Sequence, residues 1–336
     1  MSNGKLPDFT YLAPQTIGDA CSLLDEHKSE ARLLAGGTDL LVRMWQGLCA
    51  PQYVISLNRI TSLKRVNYDE HIGLIIGSLT TIHSLVNSSV IQDKYPVLSQ
   101  AARQISAIPL HHTSTVGGNL CIDTRCIFYN QSSDWSKSRP LCFKRGGDIC
   151  HAVKGSDRCQ SVYQGDLAPV LIALGAKAKI NRKNGEQIVP LHEFFTGSGE
   201  NPNILQPDEV ITEIHLPPPT NYSTGSYQKL RIRQAIDFPL AAVAVVLEAD
   251  HDGVCRKAKL VLGAVSAAPV EVLEADRIFN GRKIDNNLIE EAEEEAFKVA
   301  HPVNNLSIDA KYRRKMVRVL TMRAIEQALS GWQGKQ

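Results

Sequence analysis

A 40-residue stretch without apolar periodicity, residues 121–160, is the strongest constraint that the sequence places on the fold. Five of the eight cysteines lie in it, and its seven Lys and Arg against four Asp give it a charge of +3, whereas the whole chain carries +2. A loop of this length is uncommon inside a compact domain unless something organises it. A secreted disulfide scaffold would spread its cysteines through a shorter chain, so the cluster points to a metal site.

On both sides of this stretch the apolar pattern is regular and predicts a mixed helix and strand fold. The N-terminal part alternates predicted helices with short strands. A proline-rich run at 216–219 marks the best domain boundary, and three predicted strands followed by helices, the first over 269–279, come after it. A chain of 336 residues suits about two domains. We therefore expect an α+β protein.

Composition and charge exclude several classes of protein. Hydrophobic residues make up 43% of the chain, which excludes bulk disorder. Near-neutrality argues against a protein that coats nucleic acid or binds membranes through basic residues. The longest apolar run, 239–247, is about half as long as a membrane span. The N-terminus lacks a signal-peptide pattern, so we expect a cytoplasmic protein with neither nucleic acid nor membrane as a partner.

Four cysteines have the spacing C-x15-C-x7-C-x8-C, which suits a bound metal group. They are Cys126, Cys142, Cys150 and Cys159. Structural zinc generally uses close C-x2–4-C pairs, whereas widely spaced thiolates fit a larger iron–sulfur cluster. Spacing alone leaves zinc and iron–sulfur both open, with free thiols as a third possibility. Cys121 is a fifth candidate ligand, Cys21 and Cys49 are expected in the core, and Cys255 in a turn.

Two glycine pairs lie near predicted strand ends in the N-terminal part, AGGTD at 35–39 and TVGGN at 115–119. Paired glycines let backbone amides approach an anion, and neighbouring Thr and Asn side chains add hydrogen bonds. Neither pair forms a G-x-G-x-x-G dinucleotide fingerprint or a P-loop. One pair alone is better explained as a tight turn. Together with their polar neighbours, the two pairs favour a cradle for a pyrophosphate.

These motifs resemble the FAD-binding (medium) subunits of the molybdenum hydroxylase, or xanthine dehydrogenase, family, and the resemblance covers nearly the whole chain. The matching segments are LLAGGTDLLVRM from Leu33, TVGGNL from Thr115, GDLAPVLIALGA from Gly165, VITEIHLPPP, YQKLRIRQAIDFPLAAVAV and LVLGAVSAAP. Ordinary members run almost directly from the second glycine motif to an SDLAP-like segment, so residues 121–160 are an insert. The insert resembles that of the beta subunits of 4-hydroxybenzoyl-CoA reductases, including CIDTRC and YNQ.

The resemblance implies a two-lobed, PCMH-type FAD-binding domain over 1–217, with 121–160 as an inserted iron–sulfur loop. It implies an α+β C-terminal domain over 224–330, with a three-stranded antiparallel sheet plus helices, as in CO dehydrogenase flavoproteins. A [4Fe–4S] cluster would be bound by the four cysteines. The residues that the resemblance assigns to FAD are Leu33, Leu34, Ala35, Gly36, Gly37, Thr38, Asp39, Leu40, Thr115, Val116, Gly117, Gly118, Asn119, Asp166, Ile211 and Lys229. From the residues alone, Asp166 could cap a helix and Ile211 could be core.

The resemblance further implies an oxidoreductase subunit without catalytic residues of its own, because the organic substrate binds in a partner. The implied partners are a large molybdopterin subunit, a small [2Fe–2S] subunit and a ferredoxin-like donor, in a dimer of heterotrimers. Electrons would pass through [4Fe–4S] and FAD to the [2Fe–2S] subunit for reductive dehydroxylation of 4-hydroxybenzoyl-CoA. Two alternatives remain: the FAD subunit of an oxidative aldehyde or purine dehydrogenase, and a zinc-stapled assembly module without a redox role.

Overall fold

The computed structural model describes residues 5–220 and 222–333, and its first lobe is a small parallel sheet flanked by helices. Its elements are β1 (Thr10–Leu12), α1 (Ile17–His27), β2 (Ala31–Leu34), α2 (Leu40–Trp45) and β3 (Tyr53–Ser56). The strands pair in the order β1-β3-β2. Helix α1 begins where the sequence predicts, because the Thr16 hydroxyl accepts a hydrogen bond from the Asp19 amide. The first glycine motif connects β2 to α2.

The second lobe is an antiparallel sheet with a layer of short helices. Its elements are β4 (Val66–Asp69), β5 (Gly73–Gly77), α3 (Ile82–Asn87), α4 (Ser89–Lys94), α5 (Pro96–Arg103), α6 (Ile108–His111), α7 (Val116–Leu120), α8 (Ser133–Lys137), α9 (Leu167–Ala173), β6 (Lys177–Arg182), β7 (Gly185–Pro190) and β8 (Val210–Leu216). The strand order is β4-β5-β8-β6-β7. The Asn184-Gly185 pair predicts a hairpin, and this is confirmed, since β6 and β7 pair across the turn before Gly185.

The insert at 121–160 has little regular structure beyond α8 and a 3-10 turn at Phe143–Arg145. Its two ends are joined to each other by a short antiparallel bridge. The Arg125 amide donates to the Val162 carbonyl over 2.7 Å, and the Val162 amide donates back over 2.8 Å. The insert is therefore a loop closed at its base, and side chains rather than backbone ladders hold its interior.

The C-terminal part is a sheet covered on one side by helices, and it corrects the sequence prediction in two places. Its elements are β9 (Ser223–Leu230), β10 (Ala241–Ala249), β11 (Cys255–Gly263), β12 (Val270–Glu271), α10 (Glu274–Phe279), α11 (Asn286–Val299) and α12 (Ala310–Gln333). The expected three strands are joined by a fourth, β12, in the order β12-β11-β10-β9. Val270 and Glu271 pair with β11 instead of starting the helix predicted from residue 269. Cys255 begins β11 and is buried, so its predicted place in a turn was wrong.

Strand β10 explains why residues 239–247 form the longest apolar run of the chain. One set of its side chains (Ala241, Val243, Val245 and Leu247) packs with α10, α11 and α12. The alternate set (Ala242, Ala244 and Val246) packs into the core of the second lobe. A strand covered on both faces needs apolar residues at every position. Within the described ranges, no helix is both long and apolar enough to cross a membrane.

The connection between α11 and α12 ties the C-terminal part to the insert. The Asn305 side-chain amide donates to the Gln160 carbonyl over 2.5 Å, and the Ile127 amide donates to the Asn305 carbonyl over 2.9 Å. Arg313, which is fully buried, donates to the carbonyls of Leu240, Ala264 and Val303. The same connection thus contacts both ends of the insert, one residue away from two of the four predicted cysteine ligands.

Candidate functional site

A cleft of about 1180 Å³ is lined by residues of both lobes, and both glycine motifs contribute to its wall. Small-molecule pockets usually measure about 300–1,000 Å³, so this cleft has room for a ligand of dinucleotide size. The first motif reaches the cleft from the end of β2 and the second from the start of α7. The two motifs, 78 positions apart between Gly37 and Thr115, therefore meet at one site.

The glycines allow the two loops to touch each other. A Cβ on Gly36 would lie 1.7 Å from the Thr113 carbonyl oxygen, and a Cβ on Gly117 would lie 2.7 Å from the Ser78 Cβ. Gly37 has a φ of +75°, a region that other residues rarely adopt. The sequence analysis explains these glycines by the room that they leave for an anion. The structure adds a second reason, because a side chain at these positions would push the walls of the cleft apart.

Thirteen of the sixteen residues assigned to FAD, all within the described ranges, line the cleft. They are Leu33, Ala35, Gly36, Gly37, Thr38, Asp39, Leu40, Thr115, Gly117, Gly118, Asn119, Asp166 and Ile211. The other three, Leu34, Val116 and Lys229, do not line it. Thr115 also caps α7, because its hydroxyl accepts a hydrogen bond from the Gly118 amide over 3.1 Å. The convergence of these residues on one large cleft fits FAD, while their individual contacts remain predictions.

Asp166 and Lys229 form a buried ion pair beside the cleft. The Lys229 Nζ lies 2.9 Å from the Asp166 Oδ1, and the Tyr227 hydroxyl donates to the same carboxylate over 2.7 Å. Burial raises the pKa of Asp166, while Lys229 and Tyr227 oppose the shift. The side chain of Asp166 does not cap α9, contrary to the interpretation from the residues alone. Instead, the Asn119 side chain accepts a hydrogen bond from the Leu167 amide over 3.1 Å.

Several cleft residues were not assigned to the FAD site from the sequence. Residues 200–207, an Asn- and Pro-rich segment between β7 and β8, form one rim, and 236–238 form another. Arg43, Tyr129 and Lys144 also line the cleft. The run NPNILQP could have marked a loop. The other three residues lie at ordinary positions, and only the folded chain brings them to the glycine motifs.

The four predicted cysteine ligands share a second, smaller pocket. Cys126, Cys142, Cys150 and Cys159 all line it, and each thiol is free of disulfide bonds. Cys121 lines the FAD cleft instead, so it lies apart from the set. Burial raises the pKa of Cys126 and raises the pKa of Cys159 to about 11. A bound metal would offset this cost, because thiolates coordinated to metal ions are deprotonated outright.

The arrangement of the four thiols bears on the kind of group that fits. Among the described residues, no three His, Cys, Asp or Glu side chains converge closely enough to hold a single metal ion. A tetrahedral zinc would draw its ligands to about 2.3 Å from one point. Four unpaired thiols that line one pocket are a donor set that suits either zinc or an iron–sulfur cluster.

A chain of ion pairs joins the insert to the first glycine motif. Asp123 lies 2.5 Å from Arg43 of α2 and 2.5 Å from Lys144 of the 3-10 turn. Arg125, next to Cys126, pairs with Asp39 of the glycine motif. Burial lowers the pKa of Lys144, and Asp123 opposes the shift. Ion pairs removed from water in this way fix the insert against α2, because each charge would be costly without its partner.

Comparison with protein families gives a match over most of the chain. Residues 7–219 match the FAD binding domain in molybdopterin dehydrogenase, and residues 225–328 match the CO dehydrogenase flavoprotein C-terminal domain. The two matches join in the segment that follows the proline-rich run. The first match covers the two lobes with the three-stranded and five-stranded sheets, and the second covers most of the C-terminal part with the four-stranded sheet.

Individual relatives match over nearly their whole length. The carbon monoxide dehydrogenase medium chain of Hydrogenophaga pseudoflava is 27% identical over 96% of this chain and 97% of its own. The aldehyde oxidoreductase FAD-binding subunit PaoB of Escherichia coli is 30% identical over 80% of this chain and 85% of its own. Among solved structures, carbon monoxide dehydrogenase from Hydrogenophaga pseudoflava matches with a TM-score of 0.81 at 24% identity, over 97% of this chain and 99% of that one.

Proposed function

Because this chain belongs to the family of the FAD binding domain in molybdopterin dehydrogenase and is an FAD subunit of an oxidoreductase complex, we propose that it relays electrons within such a complex. The observation that carries the proposal is the pair of neighbouring sites, a cleft lined by both glycine motifs and a pocket lined by four free cysteines. Bound FAD would supply one- and two-electron chemistry, and an iron–sulfur cluster would supply one-electron chemistry.

The residues of the cleft hold and orient the cofactor. The backbone amides of Gly36 and Gly37 are the groups suited to its pyrophosphate, since those of Gly117 and Gly118 already donate to the Ser78 carbonyl and the Thr115 hydroxyl. The polar side chains of Thr38, Thr115 and Asn119 supply further hydrogen bonds. Asp166 is kept in place by Lys229, so Lys229 acts through Asp166 rather than at the cleft surface.

The four cysteines of the insert hold a [4Fe–4S] cluster in this proposal. The support is their common pocket, their free thiols and the resemblance of the insert. Arg125, Lys144 and Arg145 lie within or beside this region, and their positive charges offset the negative charge of a thiolate-bound cluster.

The proposed complex is a 4-hydroxybenzoyl-CoA reductase, with electrons entering at the cluster and leaving FAD for a small [2Fe–2S] subunit and a large molybdopterin subunit. The support is the resemblance of the insert. The alternative is an oxidative aldehyde or purine dehydrogenase, in which electrons leave by the same cluster. The 30% identity to an aldehyde oxidoreductase FAD-binding subunit supports this alternative equally well.

The external donor in this proposal is a small acidic ferredoxin, and the complex is a dimer of heterotrimers. Beside the cysteine pocket, Ile127, Leu141 and Ile149 are exposed on an insert with a net charge of +3. An apolar surface within a basic surround suits an acidic protein partner. We expect the rate of reduction by ferredoxin to fall as ionic strength rises. A rate that is insensitive to salt would contradict this assignment of the donor.

Anaerobic purification followed by an absorption spectrum and counts of iron and FAD tests the whole proposal. About four irons and one FAD per chain are expected for one [4Fe–4S] cluster. One zinc per chain with neither iron nor flavin would support a zinc-stapled assembly module and overturn the electron-transfer role. Assays of the assembled complex with aromatic acyl-CoA, aldehyde and purine substrates then separate the reductive from the oxidative alternative.

A further inference from the structure

The FAD cleft and the cysteine pocket have a wall in common. Tyr129 and Lys144 line both of them. Lys144 follows Cys142 by two residues, in the 3-10 turn at Phe143–Arg145. Its ammonium lies 5.0 Å from the centre of the Tyr129 ring. These two side chains therefore stand between the two sites.

Lys144 is held rigidly in this wall. Its Nζ donates to the Asp123 carboxylate over 2.5 Å, to the Thr124 carbonyl over 3.1 Å and to the Gly199 carbonyl over 3.0 Å. Only 5% of its side chain is exposed. A charge so far removed from water is screened much less by solvent and salt than a charge on the surface.

The charges of the wall do not cancel. Asp123 is shared between Lys144 and Arg43, and Asp39 pairs with Arg125. Three cations against two carboxylates leave this group with a net charge of +1. Lys144 is the member of this group that lines both sites, where added electrons would reside. A positive charge stabilises a neighbouring group more when that group has gained an electron.

We propose that Lys144 is a positioning residue whose fixed charge raises the reduction potentials of both the cysteine-bound cluster and FAD. The inference rests on the proposed function, because it needs a cluster at the four cysteines. Reduction of the cluster would add one electron and one negative charge, and reduction of FAD would add two electrons together with protons taken from water. The electrons come from dithionite through mediators in the titration. Lys144 remains an ammonium ion before and after, so no proton moves at this residue.

The test is a spectroelectrochemical titration of the anaerobically purified full chain and its Lys144→Met variant. Lys144→Met keeps the length of the side chain but removes the charge, and we expect the potentials of cluster and FAD both to fall. The matched control is Lys154→Met, which removes the same charge from an exposed position of the same insert. Its potentials are expected to stay near those of the unaltered chain, since water screens that charge.

The outcomes separate this inference from the function on which it rests. Potentials that are equal in Lys144→Met and Lys154→Met, with iron bound in both, overturn the inference alone. An unaltered chain without iron overturns the proposed function before any variant is compared. If Lys144→Met does not fold, Asp123→Asn provides a test of opposite sign, because it removes a negative charge and leaves Lys144 in place. A rise in the cluster potential supports the inference, and an unchanged or lower potential contradicts it.

Discussion

Asp166 is a buried carboxylate whose stability in the fold depends on its partners. Its side chain is buried, and its carboxylate is held by Lys229 and Tyr227. Lys229 also donates to the Gln104 carbonyl over 3.0 Å, which links β9 to the end of α5. A buried carboxylate without its cation is far less stable than a paired one. The pair thus connects the C-terminal sheet to the cleft wall through two side chains.

Substituting Lys229→Met should lower the free energy of unfolding by about 3–5 kcal/mol, because Asp166 would be left as an unpaired buried carboxylate. Tyr227→Phe is the matched control, since it removes only one hydrogen bond to the same carboxylate and should cost about 1 kcal/mol. Urea unfolding measures both. Equal losses in the two variants would contradict the view that Asp166 is ionised in the folded protein.

Gly36→Ala should abolish FAD binding, because the added Cβ would overlap the Thr113 carbonyl and separate the two loops. Overpacking of this kind usually costs about 1–3 kcal/mol even where the chain can yield. The ratio of flavin to protein absorbance in the purified chain measures the effect. Gly18→Ala in α1 is the control: its Cβ would meet one atom at 3.9 Å, and its flavin content should not change. A normal flavin content in Gly36→Ala would contradict the packing argument.

At the scale of elements, the sequence predicts those helices, strands and turns that depend on a local pattern of residues. The strand at 241–249, the hairpin of β6 and β7, and the capped start of α1 follow from side-chain periodicity, a turn signal and a cap. Strand β12 could not be predicted, because two residues become a strand only by pairing with β11. The position of Lys144 could not be predicted for the same reason, because its ion pair with Asp123 and its place beside the Tyr129 ring exist only in the folded insert.

The insert should lose its iron when any one of the four pocket cysteines is replaced, while FAD remains. Cys142→Ala is one such variant, since Cys142, like the other three, lines the cysteine pocket and not the FAD cleft. Cys121→Ala is the control. Because Cys121 lies in the FAD cleft, this variant should keep its iron. Iron analysis and visible absorption measure the result. Full iron content in Cys142→Ala, or equal loss in both variants, would show that the ligands have been assigned wrongly.

At the scale of the whole molecule, the C-terminal part completes the insert. Asn305 contacts the residues next to Cys126 and Cys159, and Arg313 fixes the same connection to β10 and to the end of β11. Burial lowers the pKa of Arg313 to about 10, and its partners are carbonyl groups. A buried cation is costly unless it is hydrogen-bonded, so the bonds from Arg313 to these carbonyl groups hold the junction in place.

Asn305→Ala should lower the free energy of unfolding by about 1 kcal/mol, since the half-buried Gln160 carbonyl would lose its donor. It should also speed amide hydrogen exchange at the base of the insert and lower iron occupancy. Asn304→Ala is the matched control, because the Asn304 side chain accepts a hydrogen bond from the Ala310 amide at the start of α12. Exchange in the insert that is equally slow in both variants would contradict a supporting role for Asn305.

The contact between Asn305 and Gln160 also bears on how the protein is made. The two residues are 145 positions apart, so the ribosome has synthesised the whole insert long before Asn305 leaves the exit tunnel. Until then the loop that carries the cysteines is closed at its base but lacks its C-terminal support. If iron for the proposed cluster were delivered during translation, the cysteine loop would still lack its contact with Asn305. Maturation of this subunit is therefore expected to follow release of the completed chain.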